Sequence, residues 1–169
     1  MSNLSRPFQF IVALGSNLGD RASYVAQALA AMNARGLHVR QTAPLYETPP
    51  IGAADKTFIN TATRIETDLT ADAVMSALLD IERDLGRTRD VHWGNRTIDL
   101  DLILGRDAQG LDIICDSTHL KLPHPRCLDR DFVLVPSVDV APTWLHPQSG
   151  QSLEREKQSR GWRLARSHF

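Results

Sequence analysis

The chain contains no apolar stretch long enough to span a bilayer, and its N-terminal segment lacks the apolar core of a secretory signal. It has two cysteines in 169 residues, Cys115 and Cys127, without metal-ligand spacing. Free thiols in a reducing, cytoplasmic setting are therefore expected. Strong charge of either sign is absent. The formal net charge of -1 argues against a general nucleic-acid or anionic-membrane partner. Internal repeats, low-complexity tracts and a second-domain boundary are missing too. The expectation is one domain over residues 1–169, with a core over about 8–150, a peripheral tail over 151–169, and a monomeric state. A phosphate-binding P-loop is also lacking. The turn Gly15-Ser16-Asn17-Leu18-Gly19-Asp20 has neither its spacing nor its lysine, and it is not GxGxxG. It reads better as a tight connection capped by Asp20 than as a phosphate cradle.

What the chain does have is an acidic strand. From Ile98 to Leu104 the apolar run is interrupted only by Asp99 and Asp101. Side chains two apart on a strand share a face, so both carboxylates leave one side while Ile98, Leu100, Leu102 and Leu104 are expected to fill the other. Two carboxylates in an apolar strand are costly to desolvate unless a cation neutralises them, and Mg²⁺ suits such a pair. An edge strand with two solvated aspartates is the alternative. The preceding loop favours the cation. Gly86 to Arg96 carries Arg87, Arg89, Arg96, His92 and Trp93 with neither helical nor strand periodicity. Arginine forks next to an acid pair are equipment for phosphoryl transfer.

The remaining pattern predicts strands over residues 8–14, 37–46 and 58–67. Helices are predicted over 21–35, with Val25, Leu29 and Met32 inward, and over 70–85, with Val74, Leu78, Ile81 and Leu85 inward. Glu82 falls in the last turns of the second helix, where a surface charge is the usual reading. Residues 111–114 should pair back on the acidic strand, 127–135 should form a short helix, and 139–150 a proline-rich extended segment. Residues 151–169 read as a peripheral helix or a frayed end. His124 stands between Pro123 and Pro125, which set its backbone in advance. This order of elements predicts an α+β domain, ferredoxin-like, with a mostly antiparallel sheet covered by helices.

Several of these segments together resemble the 6-hydroxymethyl-7,8-dihydropterin pyrophosphokinase family of folate biosynthesis. They are Ala13 to Asp20, Tyr46-Glu47-Thr48-Pro49-Pro50, Phe58-Ile59-Asn60, Gly86-Arg87-Thr88-Arg89, Trp93 to Asp101 and Leu122-Pro123-His124-Pro125-Arg126. The resemblance runs from about Phe8 to Gly150 and implies a three-layer α/β/α form of the fold. It implies Mg²⁺-dependent transfer of diphosphate from ATP to the pterin hydroxymethyl group, giving AMP. By the same resemblance, Asp99 and Asp101 would hold two Mg²⁺ ions. Arg87, Arg89 and Arg96 would serve the phosphates, and His124 and Arg130 would contact ATP with Glu82 nearby. Phe58 and Phe132 would enclose the pterin. Asn60 and the stretch Thr48, Pro49 and Ile51 would read its polar edge, and Trp93 would close over it. The chain departs from the family pattern at His92, Asn95 and His119, which remove positive charge and, at Asn95, the stiffness of a proline. A divergent paralogue acting on another pterin, or a binding protein without turnover, are the competing readings.

Overall fold

The computed structural model describes residues 6–86 and 95–168. Its main sheet carries strands β1 (Phe8–Ser16), β2 (His38–Thr42), β3 (Tyr46–Thr48), β4 (Phe58–Thr67), β5 (Asp99–Arg106) and, from the C-terminal segment, β8 (Ala165–Arg166). The strand order is β5-β1-β4-β3-β8, with β2 also on β4, and every pairing is antiparallel. Helices α1 (Arg21–Ala34) and α2 (Ala71–Asp84) cover one face. Helices α3 (Asp131–Val140) and α4 (Leu153–Arg160) lie on the other. A two-stranded piece, β6 (Cys115–Asp116) with β7 (Lys121–Leu122), flanks β5. This is the expected ferredoxin-like arrangement, in three layers.

The pattern of burial follows the strand period. Phe10, Val12 and Leu14 point to the α1/α2 core, while Ile11 and Ala13 point to the α3/α4 core. Val25 and Met32 of α1, with Val74, Leu78 and Ile81 of α2, complete the first core. Each such fully buried side chain contributes about 1.5–3 kcal/mol. Asp20 caps α1 by accepting from the Ser23 amide at 3.1 Å, and Thr70 caps α2 through the Ala73 amide at 3.3 Å. Gly36, at φ +79°, ends α1 in the left-handed region that glycine enters at little cost.

Several boundaries differ from the sequence expectation. The strand expected over 37–46 is two strands, because Pro44 has no N–H for the ladder. The last helix of the family-like region begins at Asp131, after a turn over 127–129, and runs through Pro136 to Val140. A proline inside a helix removes a hydrogen bond. Here burial of Val133, Leu134, Val135, Val138 and Val140 outweighs that loss. Residues 139–150 are not a simple extended segment, since Trp144 and His146 are buried at 7% and 3% exposure. Residues 111–114 form only a partial hairpin on β5, through an Arg106–Asp112 bridge and the Ile113 amide on the Gly105 carbonyl. The segment after Gly150 packs α4 on α3 and adds β8 to the edge of β3.

One irregularity governs the site. β1 and β5 pair from Gly15 with Asp99 to Val12 with Leu102, and then the register slips so that Ile11 faces Leu104. Ile103 is the extra residue of a β-bulge. An inserted residue reverses the alternation beyond it. Leu104, expected beside Leu102, therefore packs in the α3/α4 core.

Candidate active site

Asp99 and Asp101 leave the face of β5 that looks toward α3. Their row neighbours follow from register. Gly15 lies opposite Asp99 on one side and Asn60 on the other, and Ala13 lies between Asp101 and Ala62. Directly opposed residues share a face. The sheet thus carries an amide, a bare glycine and a carboxylate in one line. A Cβ placed on Gly15 would stand 2.8 Å from Asn60 Oδ1, so only glycine leaves that floor clear. The sequence reading assigned Gly15 to a turn; it is a strand residue under the site.

Above this floor opens a cleft. It is lined by Thr48, Pro49, Ile51, Phe58, Asn60, Arg96, Asp99, Asp101, Arg130 and Phe132, among others. The sheet and α3 thereby bring together residues as far apart in the chain as Gly15 and Phe132. Asn60 is 7% exposed and donates its Nδ2 to the Thr48 hydroxyl at 2.6 Å, which fixes the amide plane. Its oxygen and second N–H proton remain for a ligand. Arg96 donates to Asp99 Oδ2 at 2.8 Å with both side chains largely buried. The Arg130 guanidinium stands 5.6 Å from the Phe132 ring centroid, and its charge acts on Asp101. Burial works against that charge, and Asp101 works for it.

A second cleft, of about 580 Å³, adjoins the first. Met75, Ser117, Thr118, His119, Lys121, His124 and Asp101 are among its walls. Asp101 lines both clefts. His124 Nδ1 accepts from the Arg126 amide at 3.1 Å, so the neutral ring carries its proton on Nε2 and can donate. Burial, then the charges of Arg130 and Arg126, hold the His124 pKa below the ordinary value, while Asp99 pulls the other way. Burial pushes the Cys127 thiol up to about 12, so it is no nucleophile at neutral pH.

Among the sequence-predicted residues, Glu82 falls elsewhere. It is 2% exposed, lines neither of these clefts, and accepts from the Leu100 amide at 3.1 Å. It is a buried support for the strand between the two aspartates, not a surface charge. Arg87, Arg89, His92 and Trp93 lie outside the described residues. Sequence reasoning missed Gly15 as floor and the Ser117-Thr118 and Lys121 wall. It also missed Asn17, which is 2% exposed and tied to Arg96 by a reciprocal pair of bonds at 2.7 and 3.1 Å. A polar run directly before the Pro-His-Pro stretch was the available signal for the second wall.

Residues 11–142 match the profile of 7,8-dihydro-6-hydroxymethylpterin-pyrophosphokinase (HPPK). The chain belongs to the HPPK family. It is 39% identical over 131 residues to the 2-amino-4-hydroxy-6-hydroxymethyldihydropteridine pyrophosphokinase of Bacillus subtilis, covering 76% of this chain and 75% of that one. The enzyme of the same name from Methylorubrum extorquens is 40% identical over 133 residues, 78% of this chain and 81% of that one. The folic acid synthesis protein fol1 of Pneumocystis carinii is 37% identical over 144 residues, 84% of this chain but only 19% of its own length. Among solved structures, the fold is similar to an HPPK-DHPS in complex with substrates, with a TM-score of 0.71 at 11% identity, covering 92% of this chain and 45% of that one. That likeness establishes the fold.

Proposed function

We propose that this chain transfers the terminal diphosphate of ATP to the hydroxymethyl oxygen of 6-hydroxymethyl-7,8-dihydropterin, the activity named for its HPPK relatives. The observation that carries the reading is the position of Asp101, which lines both clefts. One cleft, with Phe58, Phe132 and the pinned Asn60 amide, suits a flat heterocycle with a polar edge. The other, with His124, Lys121 and two hydroxyls, suits a nucleotide. The phosphates then cross between them, past the carboxylates.

In the reaction the hydroxymethyl oxygen forms a bond to the β-phosphorus of ATP as the bond to the α-bridging oxygen breaks. AMP leaves with that oxygen's charge, and the alcohol gives up its proton. Arg96 and Arg130, fixed donors at the cleft wall, oppose the charge that develops. Among the described residues no cluster of three or more His, Cys, Asp or Glu side chains could hold a metal. Two carboxylates on one strand face nevertheless suit a hard cation that takes its other ligands from water and phosphate oxygens. Asp99 and Asp101 would hold Mg²⁺, two ions on the family pattern, which neutralises the phosphates when bound. Arg87, Arg89 and Trp93 are expected to act from the segment between Gly86 and Asn95. The reading also takes the chain as a cytoplasmic monomer acting on small molecules. No helix among the described residues is long and apolar enough to cross a membrane.

The test is product identification by mass spectrometry after incubation with ATP, Mg²⁺ and the reduced pterin. AMP and the pterin diphosphate in equal amounts are expected. ADP in place of AMP, or no product at all, overturns the reading.

A further inference from the structure

Asn95 stands at the start of the acidic strand's approach and makes three side-chain hydrogen bonds. Its Oδ1 accepts from Asn17 Nδ2 at 2.8 Å and from the Asp55 amide at 3.3 Å. Its Nδ2 donates to Asp55 Oδ1 at 2.6 Å. Asp55 belongs to the loop between β3 and β4, whose near arm supplies Pro49 and Ile51 to the first cleft. Residues 49–53 and 55–57 are exposed, and Ile51 is 40% exposed. Its far arm is tied by Asn17 Nδ2 on the Lys56 carbonyl at 3.1 Å and by Arg21 on Thr57 at 2.9–3.1 Å. The Asn95–Asp55 pair reaches nearest to the tip, where the Ala54 amide closes a turn on the Ile51 carbonyl at 3.1 Å. A proline at position 95 would have no side-chain donor or acceptor for any of these bonds. Asn95 therefore adds connections at a place where the sequence alone suggests lost stiffness.

We infer that Asn95 and Asp55 form a latch that sets acceptor affinity: by holding the β3–β4 loop against Asn17 and the approach to β5, they position Pro49 and Ile51 over the pterin end of the cleft. Asn95 is thus a positioning residue for the acceptor and not for the nucleotide. The second cleft shares none of these residues. A loop held in its binding conformation lowers the ordering cost of the ligand, so loss of the latch should appear in pterin binding. The inference rests on the pyrophosphokinase reading above.

The chemistry of the pair allows a direct test. Asn95→Asp sets two carboxylates against each other. Asp55→Asn keeps an acceptor for the Asn95 donor. The double variant Asp55→Asn/Asn95→Asp exchanges donor and acceptor and restores the bond. Calorimetric Kd values for 6-hydroxymethylpterin and for a non-hydrolysable ATP analogue are measured on the full chain, with melting temperatures alongside. Asn95→Asp is expected to weaken pterin binding about two- to tenfold, the scale of one lost hydrogen bond. ATP-analogue binding should stay within about twofold. Asp55→Asn should bind pterin as wild type does, and the double variant should recover it. Equal losses for both ligands, or a double variant that fails to recover pterin binding while its melting temperature is restored, overturn the latch. If wild type binds no pterin and releases no AMP, the functional reading fails instead, so the two failures are distinguishable.

Discussion

The His124 amide donates to the carbonyl of Ile103 at 2.8 Å, and Ile103 is the bulged residue between β1 and β5. A bulge leaves its extra residue without a ladder partner. The Pro-His-Pro segment takes up that open carbonyl, which holds His124 at the wall of the second cleft that Asp101 also lines. The irregularity that displaces Leu104 thus also fastens a residue of the second cleft to the acidic strand.

His124→Ala should therefore act on the donor side. It removes the Nε2 donor while the backbone bond to Ile103 persists. ATP-analogue affinity should fall by about tenfold, the scale of a hydrogen bond to a charged group, with pterin affinity unchanged. Calorimetry with each ligand separately checks this, and equal weakening of both would refute it.

The two aspartates should agree in activity. Asp99→Ala and Asp101→Ala are each expected to abolish diphosphate transfer in Mg²⁺. Asp99→Ala removes the carboxylate to which Arg96 donates at 2.8 Å. That variant should lose on the order of 1 kcal/mol of stability, between the values for surface and buried pairs. Urea unfolding of both variants and product assays decide the matter. Near-normal turnover in either removes the metal assignment.

Gly15→Ala should damage the first cleft through the Asn60 amide. The new methyl would stand 2.8 Å from Asn60 Oδ1 and push the amide off its bond with Thr48. Pterin binding should weaken by about 1–3 kcal/mol, as for Asn60→Ala. The double variant should be little worse than either single one, because both act through the same amide. Additive losses would show that Gly15 acts by another route.

Acid should destabilise the fold below about pH 6.5. Burial is the main cause that keeps both His124 and His146 below the ordinary imidazole pKa; for His146, Glu156 opposes it and Arg160 assists. As pH falls through 6.5 the unfolded chain takes up these protons first. The stabilisation is complete above the unfolded pKa and is lost as pH falls toward the folded values. His146 Nδ1 accepts from the amides of Gln148 and Ser149, at 3.2 and 3.4 Å, and protonation would end both. Melting temperatures between pH 7.5 and 5 should decline, and His146→Asn, which keeps an acceptor but does not titrate, should flatten the curve. A rise on acidification would contradict the assignment.

Much of the architecture was legible before the fold. Helix stripes such as Val74, Leu78 and Ile81, the caps Asp20 and Thr70, and the alternation that puts Asp99 and Asp101 on one face are short-range properties. Backbone geometry alone enforces them, and so the element order and the ferredoxin-like class could be read from the chain. The motifs that resemble the HPPK family lie in the same local stretches. Other features needed the tertiary structure, because their causes lie far away in sequence. The bulge at Ile103 depends on the pairing of β5 with β1. Continuation of α3 through Pro136 depends on a core that covers Val138 and Val140. The attachment of α4 and β8 depends on α3 and the open edge of β3. The bare floor at Gly15 exists only because register sets Asn60 beside it, and the bonds of Asn95 exist only because folding brings Asp55 and Asn17 within reach. Local chemistry chose the elements and the reactive side chains. Long-range register and packing decided which of those side chains meet.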